Sequence, residues 1–333
     1  MTQLGTRNWE LGTFLPRLLL AALLAFGSEV LAWTNPVAHT QLDWLLRIPA
    51  YLILSAFLLD LIARYRVRDL FGVLVLAGIY ALLYALVINP VYAFSDIPRT
   101  LVTRVMGAQA LIAAEMIGLF LALAGGANRR AGRRLLVGSV VVGLAWGLWV
   151  RWWPEAEGYP LVSSLTMLAY GVAGLGLIGA ALFLAARRSQ DVVPNHLRLS
   201  RVQWGIAFLG LLALLVIQVF RGGVDGGGVF LSALILALCG VIVWFRGRAK
   251  GETLLDGRIP VQPAPVSTLI PALILFFAAA IATYNLPFIQ VGAVTSLTFI
   301  GLGFTAYGLA WLPTISLVLG ARSYLRQASQ RQL

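Results

Sequence analysis

Lysine, histidine and cysteine are nearly missing from this sequence, and acidic residues are few. Lys250 is the only lysine and lies in a connection between apolar runs, so no retinal Schiff base can form within a helical bundle. His39 and His196 are the only histidines and fall in different connections. A haem held between two membrane histidines is thereby excluded, and a histidine-based metal site is disfavoured. Cys239 is the only cysteine, which rules out an intramolecular disulfide, a CxxC pair and a cysteine-based zinc site. Inside the apolar run 228–245 it reads as a buried, inert thiol. The chain has no P-loop, no GxSxG elbow and no Asp-rich pair of the kind that holds magnesium in prenyl transferases.

Charge itself is scarce. Only 11% of the 333 residues are charged while 60% are hydrophobic, against about 25% charged in a soluble domain. Water cannot solvate so apolar a surface, so lipid is the expected solvent. The ions that exist are unbalanced, 25 basic against 13 acidic, for a net charge of +12. Basic residues that bind nucleic acid gather on one face or module. Here they form short clusters between apolar runs, the pattern that orients a membrane protein, so no nucleic-acid partner is expected.

A transmembrane span takes about 20 mostly apolar residues. Ten segments qualify: 14–33, 44–63, 70–94, 106–125, 135–153, 161–185, 203–220, 228–245, 265–284 and 290–319. The expected fold is an all-α integral membrane protein, a polytopic bundle of about ten transmembrane helices. The first segment has a basic start (Arg7, Arg17) and Val30-x-Ala32 beyond its apolar core, as a signal peptide would; it is read as an uncleaved helix. Basic and non-basic connections alternate strictly. One set holds Arg7, Arg17, Arg64, Arg66, Arg68, Arg129, Arg130, Arg133, Arg134, Arg187, Arg188, Arg198, Arg201, Arg246, Arg248, Lys250, Arg258, Arg322, Arg326 and Arg331, twenty of the 25 cations. The other holds Arg99, Arg104, Arg151 and Arg221, with Arg47 inside a span. The positive-inside rule then puts both termini in the cytoplasm of a multi-pass plasma-membrane protein. All connections on the opposite side are short. The longest cytoplasmic one, 246–264, carries Pro260 and Pro263 and reads as an extended linker, dividing 1–245 from a second unit, 265–333, made of the ninth and tenth spans and a basic tail.

Helices in lipid associate through small residues, and three stripes of them stand out. The fourth span has Ala110, Ala114, Gly118 and Ala122. The fifth has Ser139, Gly143 and Gly147, continued by Arg151, and the tenth has Thr298, Gly301, Thr305 and Gly308. Plain helix packing is the first reading of each stripe and a substrate path the second. Pro49, Pro90, Pro271 and Pro313 are expected to kink their spans. Trp146, Trp149, Trp152 and Trp153 crowd the outer end of the fifth span. An interfacial belt accounts for them; a groove for lipid, quinone or pigment is the sharper alternative.

Ionisable residues inside spans carry the functional expectations, because each is costly there. Glu29 and Arg47 lie near the outer ends of the first two spans, joined by a short loop, and are placed to pair. Asp60 and Arg64 form an i,i+4 pair at the inner interface. Glu115 sits midway along the fourth span with no charge near it in its own helix, and is the leading candidate for a substrate- or proton-binding carboxyl. A water-filled pocket opening outward between the fourth and fifth spans, toward Arg151, would serve it. Glu115 facing lipid, or sealed in a dry contact with no cavity beside it, would overturn the transport reading built on it and put the subunit reading first.

Ten short-looped helices with both ends inside resemble the drug/metabolite transporter superfamily in layout; none of that superfamily's sequence motifs occurs, so layout is the whole of the likeness. Two functions from different classes follow. One is a small-molecule transporter or permease with an outward-opening polar cavity near Glu29, Arg47, Asn89, Glu115 and Arg151. The other is a non-catalytic subunit of a larger membrane assembly, binding lipid, quinone or pigment at its tryptophan-rich edge. A membrane-embedded enzyme ranks third, for want of a nucleophile constellation. No catalytic residue, metal or cofactor is expected, although a bound lipid, quinone or carotenoid fits the aromatic edge. The expected partners are the bilayer and other membrane subunits.

Overall fold

The chain is described by a computed structural model over residues 2–126, 129–156, 159–222, 224–246, 252–262, 265–286, 298 and 300–311. It is all-helical over those residues. The helices are α1 (Thr2–Ala25), α2 (Gln41–Arg64), α3 (Leu70–Val87), the short α4 (Pro90–Phe94), α5 (Ala110–Ala124), α6 (Arg129–Ala156), α7 (Ser164–Arg188), α8 (Arg201–Phe220), α9 (Gly226–Arg246) and α10 (Val266–Tyr284), followed by α11 (Ile300–Trp311). Two wide-turned π segments extend this set, Phe26–Leu31 after α1 and Leu101–Gln109 before α5. Among the described residues nine helices are long and apolar enough to cross a membrane, which makes this a multi-pass membrane protein. Of the tenth expected span only Thr298 and α11 are described. Pro313, Arg322, Arg326 and Arg331 lie outside the described residues, as do Arg248 and Lys250.

Helix termini must find partners for backbone groups that the helix leaves unpaired, and local sequence supplies many of them. Thr40 caps α2: its hydroxyl accepts from the Asp43 amide at 3.2 Å while the Asp43 carboxylate accepts from the Thr40 amide at 2.8 Å, the reciprocal arrangement of a capping box. Asp69 caps α3 through Gly72, and Ser200 with Gln203 caps α8. The expected single span 70–94 is instead broken. Pro90 has no amide to donate and disfavours helical backbone before it, so α3 stops at Val87 and α4 restarts at Pro90.

The core lies around the first four spans, where 56–78% of the residues are buried, against 17–28% in the next five. Leu19, Leu20, Leu23 and Leu24 of α1, Leu54, Leu58 and Leu59 of α2, and Tyr80 and Tyr84 of α3 are fully or almost fully buried. The peripheral helices attach by close backbone approach. On α6, a Cβ added at Gly143 would come within 2.4 Å of the Phe276 carbonyl oxygen, and one at Gly147 within 2.2 Å of that of Ala280. The stripe of the fifth span is therefore a packing surface for α10. The stripe of the fourth span is not: Ala110 is buried, but Gly118 and Ala122 are exposed and nothing lies within 4 Å of a Cβ placed at Gly118.

Two expectations about the arginine-rich end change. Asp60 is more than a local partner for Arg64. Fully buried, it also accepts from the Leu199 amide at 2.7 Å and the Trp204 indole at 2.9 Å, tying α2 to the start of α8. The connection after α9 does not hang free over its described part, 252–262. The Leu254 amide donates to the Val67 carbonyl at 2.8 Å and the Gln262 amide to that of Ala124 at 2.8 Å. The Val261 amide donates to the Ser189 hydroxyl at 3.1 Å, and Leu255, Ile259 and Val261 are buried. This strap crosses the bundle end, and α10 beyond it lies along α6 rather than apart from the first eight spans.

Candidate functional site

The end of the bundle opposite the arginine clusters holds the polar residues that matter. The π segment Phe26–Leu31 carries Ser28 and Glu29 into the core, both buried. After it the backbone turns through Trp33 at φ 49° and Asn35 at φ 59°. A left-handed conformation is uncommon for a bulky residue such as tryptophan. It is held here because the Trp33 ring is buried against Trp146 and Tyr170, at centroid distances of 6.5 and 6.0 Å. The turn returns Thr34 and His39 onto Glu29. One Glu29 oxygen, Oε2, accepts from the Thr34 hydroxyl at 2.7 Å and lies 3.2 Å from His39 Nε2. The other, Oε1, accepts from Arg47 Nη1 and from the Tyr51 hydroxyl at 2.6 Å. Arg47 and Tyr51 are one turn apart on α2 and so share a face. Tyr80 and Tyr84 repeat that spacing on α3, the Tyr80 hydroxyl lying 2.7 Å from Ser28 Oγ.

Above this layer opens a pocket of about 210 Å³ between α2, the α3–α4 break and α8. Its polar lining is His39, Asp43, Arg47, Asn89, Gln218 and Arg221; Leu46, Val87, Ile88, Pro90 and Val91 complete the wall. Each polar group has a structural reason to be there. Gln218, from α8, donates toward the Val87 and Ile88 carbonyls at 3.3 and 3.4 Å, which the break at Pro90 leaves without helical partners. Arg221, just past the end of α8, donates to Asp43 Oδ1 at 2.6 Å, so the capping residue of α2 also fixes one pocket wall. Asn89 Nδ2 reaches the Tyr84 hydroxyl at 3.5 Å. Tyr51 and Tyr84 are buried and stand outside the lining. The volume is below the roughly 300–1,000 Å³ of pockets for drug-sized ligands, and suits a smaller polar molecule.

The structure brings together three of the five expected substrate or proton residues: Arg47 and Asn89 in the lining and Glu29 behind Arg47. The other two lie elsewhere. Glu115 is on the exposed face of α5, with Gly118 and Ala122, and makes no hydrogen bond or ion pair within the described residues. Arg151 is on α6, its guanidinium 5.9 Å from the centre of the Tyr284 ring of α10. The stripe of α6, expected to face the fourth span across a pocket, is turned toward α10. Two of the tryptophans have a packing role. Trp146 is 2% exposed and its indole donates to the Val30 carbonyl at 2.7 Å; Trp149 donates to that of Ala32 at 2.7 Å and stacks on Trp153 at 4.6 Å. Trp146 and Trp149 thus clamp carbonyls where the first span ends. Trp152 is half-buried beside them.

Sequence reasoning missed Asp43, Gln218 and Arg221 as site residues and treated His39 as loop. The tyrosines had a signal. Two Tyr hydroxyls one turn apart in an apolar span require polar partners, and Arg47 stands one turn before Tyr51. In comparisons with known proteins, no family model, no curated protein and no solved structure matches this chain.

Proposed function

We propose that the chain is a small-molecule transporter or permease of the plasma membrane, with the pocket at Arg47, Asn89 and Arg221 as its solute site. The arginine-rich end is cytoplasmic by the positive-inside rule, so the pocket, at the opposite end, opens outward. The observation that carries this reading is the pocket itself, a polar cavity built at the boundary of an apolar bundle. Glu115, on an exposed face, counts against the transport route expected around it; the proposal rests on the pocket instead and gives that residue no proton-coupling role.

The test uses Val91, an exposed pocket-lining residue. In a Cys239→Ser, Val91→Cys protein reconstituted into liposomes, uptake of labelled small polar solutes is expected to stop after alkylation by an impermeant maleimide. Uptake that survives complete alkylation places the route elsewhere and rejects the pocket.

One observation favours the second reading, a non-catalytic subunit of a larger assembly. Glu115 with Gly118 and Ala122 forms an exposed face on a span whose opposite side is buried, and small residues around a polar group are what helix partners use in lipid. That reading expects Glu115→Leu to release a co-purifying membrane partner without lowering the melting temperature, and expects no uptake by the isolated protein.

A further inference from the structure

Hydrogen-bond capacity in the pocket is lopsided. The carboxylates are occupied. Asp43 Oδ1 accepts from Arg221, and its Oδ2 accepts from both the amide and the hydroxyl of Thr40, each at 2.8 Å. Glu29, 1% exposed, has partners on both oxygens. The guanidiniums are only partly occupied. Each arginine carries five N–H donors, and among the described residues Arg47 hydrogen-bonds to Glu29 through Nη1 and Arg221 to Asp43 through Nη2. Both arginines line the pocket, and among the described residues their remaining donors have no acceptor. A cationic ligand finds little free carboxylate in this site, Glu29 being buried and filled and Asp43 having one position left, on Oδ1. A ligand rich in acceptors completes both forks.

We propose that the pocket selects a small anion, a carboxylate or phosphate group bridging Arg47 and Arg221. This rests on the reading of the pocket as a solute site and names the class of solute. Each guanidinium is already paired with a carboxylate, Arg47 with Glu29 and Arg221 with Asp43, so the selection rests on the unused N–H donors and not on net charge. Guanidinium binds carboxylate and phosphate with two parallel, charge-assisted hydrogen bonds. Gln218 and Asn89 flank the position with amide groups that can contact the uncharged part of such a molecule. A free metabolite and a lipid headgroup share this chemistry.

The probes are inorganic phosphate and acetate, titrated calorimetrically into the purified full-length protein in phosphatidylcholine nanodiscs, with choline chloride at matched ionic strength as the cationic control. Saturable binding of at least one anion, and none of choline, is expected. Arg221→Gln should weaken it about tenfold or more, the effect of losing a charge-assisted hydrogen bond, and Arg221→Lys should weaken it less. Arg221 is exposed, so a melting temperature near that of the wild type separates lost binding from lost fold. Suppression of the titration in phosphatidylglycerol nanodiscs would assign the site to a lipid headgroup, and an unchanged titration to a free anion. Absence of saturable binding by both anions, or binding indifferent to Arg221→Gln, overturns the inference. Anion binding without uptake would reject transport and keep the anion site; uptake without anion binding would do the reverse.

Discussion

A carboxylate sealed from water is tolerated only when its oxygens are filled, and Glu29 has four side-chain partners. Removing one partner from a buried ion pair leaves the other charge uncompensated, which costs about 3–5 kcal/mol. Glu29→Gln and Arg47→Gln should therefore each lower stability by that order, and the double variant should recover part of the loss. A double-mutant cycle on thermal or denaturant unfolding measures the coupling; strictly additive losses would show that the two groups do not interact. The nearness of Glu29 and Arg47 was legible in the sequence because a short loop joins the spans that carry them. The partnership of Asp43 with Arg221, 178 residues away, was not. Nothing local in either segment records that α8 comes to lie against α2. The exposed face of Glu115 was not legible either, for a different reason. Depth along a helix can be counted from the sequence, but the face that meets the core depends on which neighbours arrive.

At the scale of elements, small residues act only where a partner backbone comes close, and spacing alone does not say where that is. Gly147 and Gly118 illustrate the difference. The first meets Ala280, and the second meets nothing within 4 Å. Gly147→Ala should destabilise the α6–α10 pair by roughly 1–3 kcal/mol, the usual cost of overpacking, whereas Gly118→Ala should stay within about 0.5 kcal/mol of wild type or gain slightly in helix propensity. Melting temperatures of the two variants in one detergent decide it, and equal shifts would contradict the packing described. Secondary structure was legible almost throughout, because a run of apolar residues long enough to cross lipid has little alternative to helix. The break at Asn89–Pro90 is the main exception. An isolated proline in a membrane span predicts a kink, and a complete stop depends on Gln218 being available from α8 to receive the carbonyls.

For the whole molecule, the alternation of arginine clusters predicts which end faces the cytoplasm, and the contacts at each end agree with alternating helix direction. Val67, Ala124 and Ser189 meet the strap at one end, while Val30, Asp43, Val87 and Val162 meet partners at the other. With Cys239 replaced by Ser, single cysteines at Thr40 and Asp96 should react with an impermeant maleimide on intact cells. Those at Ala131 and Gln190 should react only after permeabilisation. One site reacting from the wrong side would break the proposed orientation. The proposed orientation rests on summed charge, which needs no knowledge of contacts. Which helices form the core was not legible, since inner and peripheral spans are about equally apolar.

The strap over 252–262 has a consequence for how the protein is made. Its anchors on Val67, Ala124 and Ser189 belong to segments synthesised well before it, so it can dock only onto a bundle whose earlier helices are already in register. Assembly then has a late, ordered step. Until the strap docks, the backbone and hydroxyl groups it bonds at or just beyond the ends of α2, α5 and α7 lack these partners, and a misplaced early helix offers it no seat. A segment that resembles a linker in composition thus depends for its own fold on helices far from it in sequence.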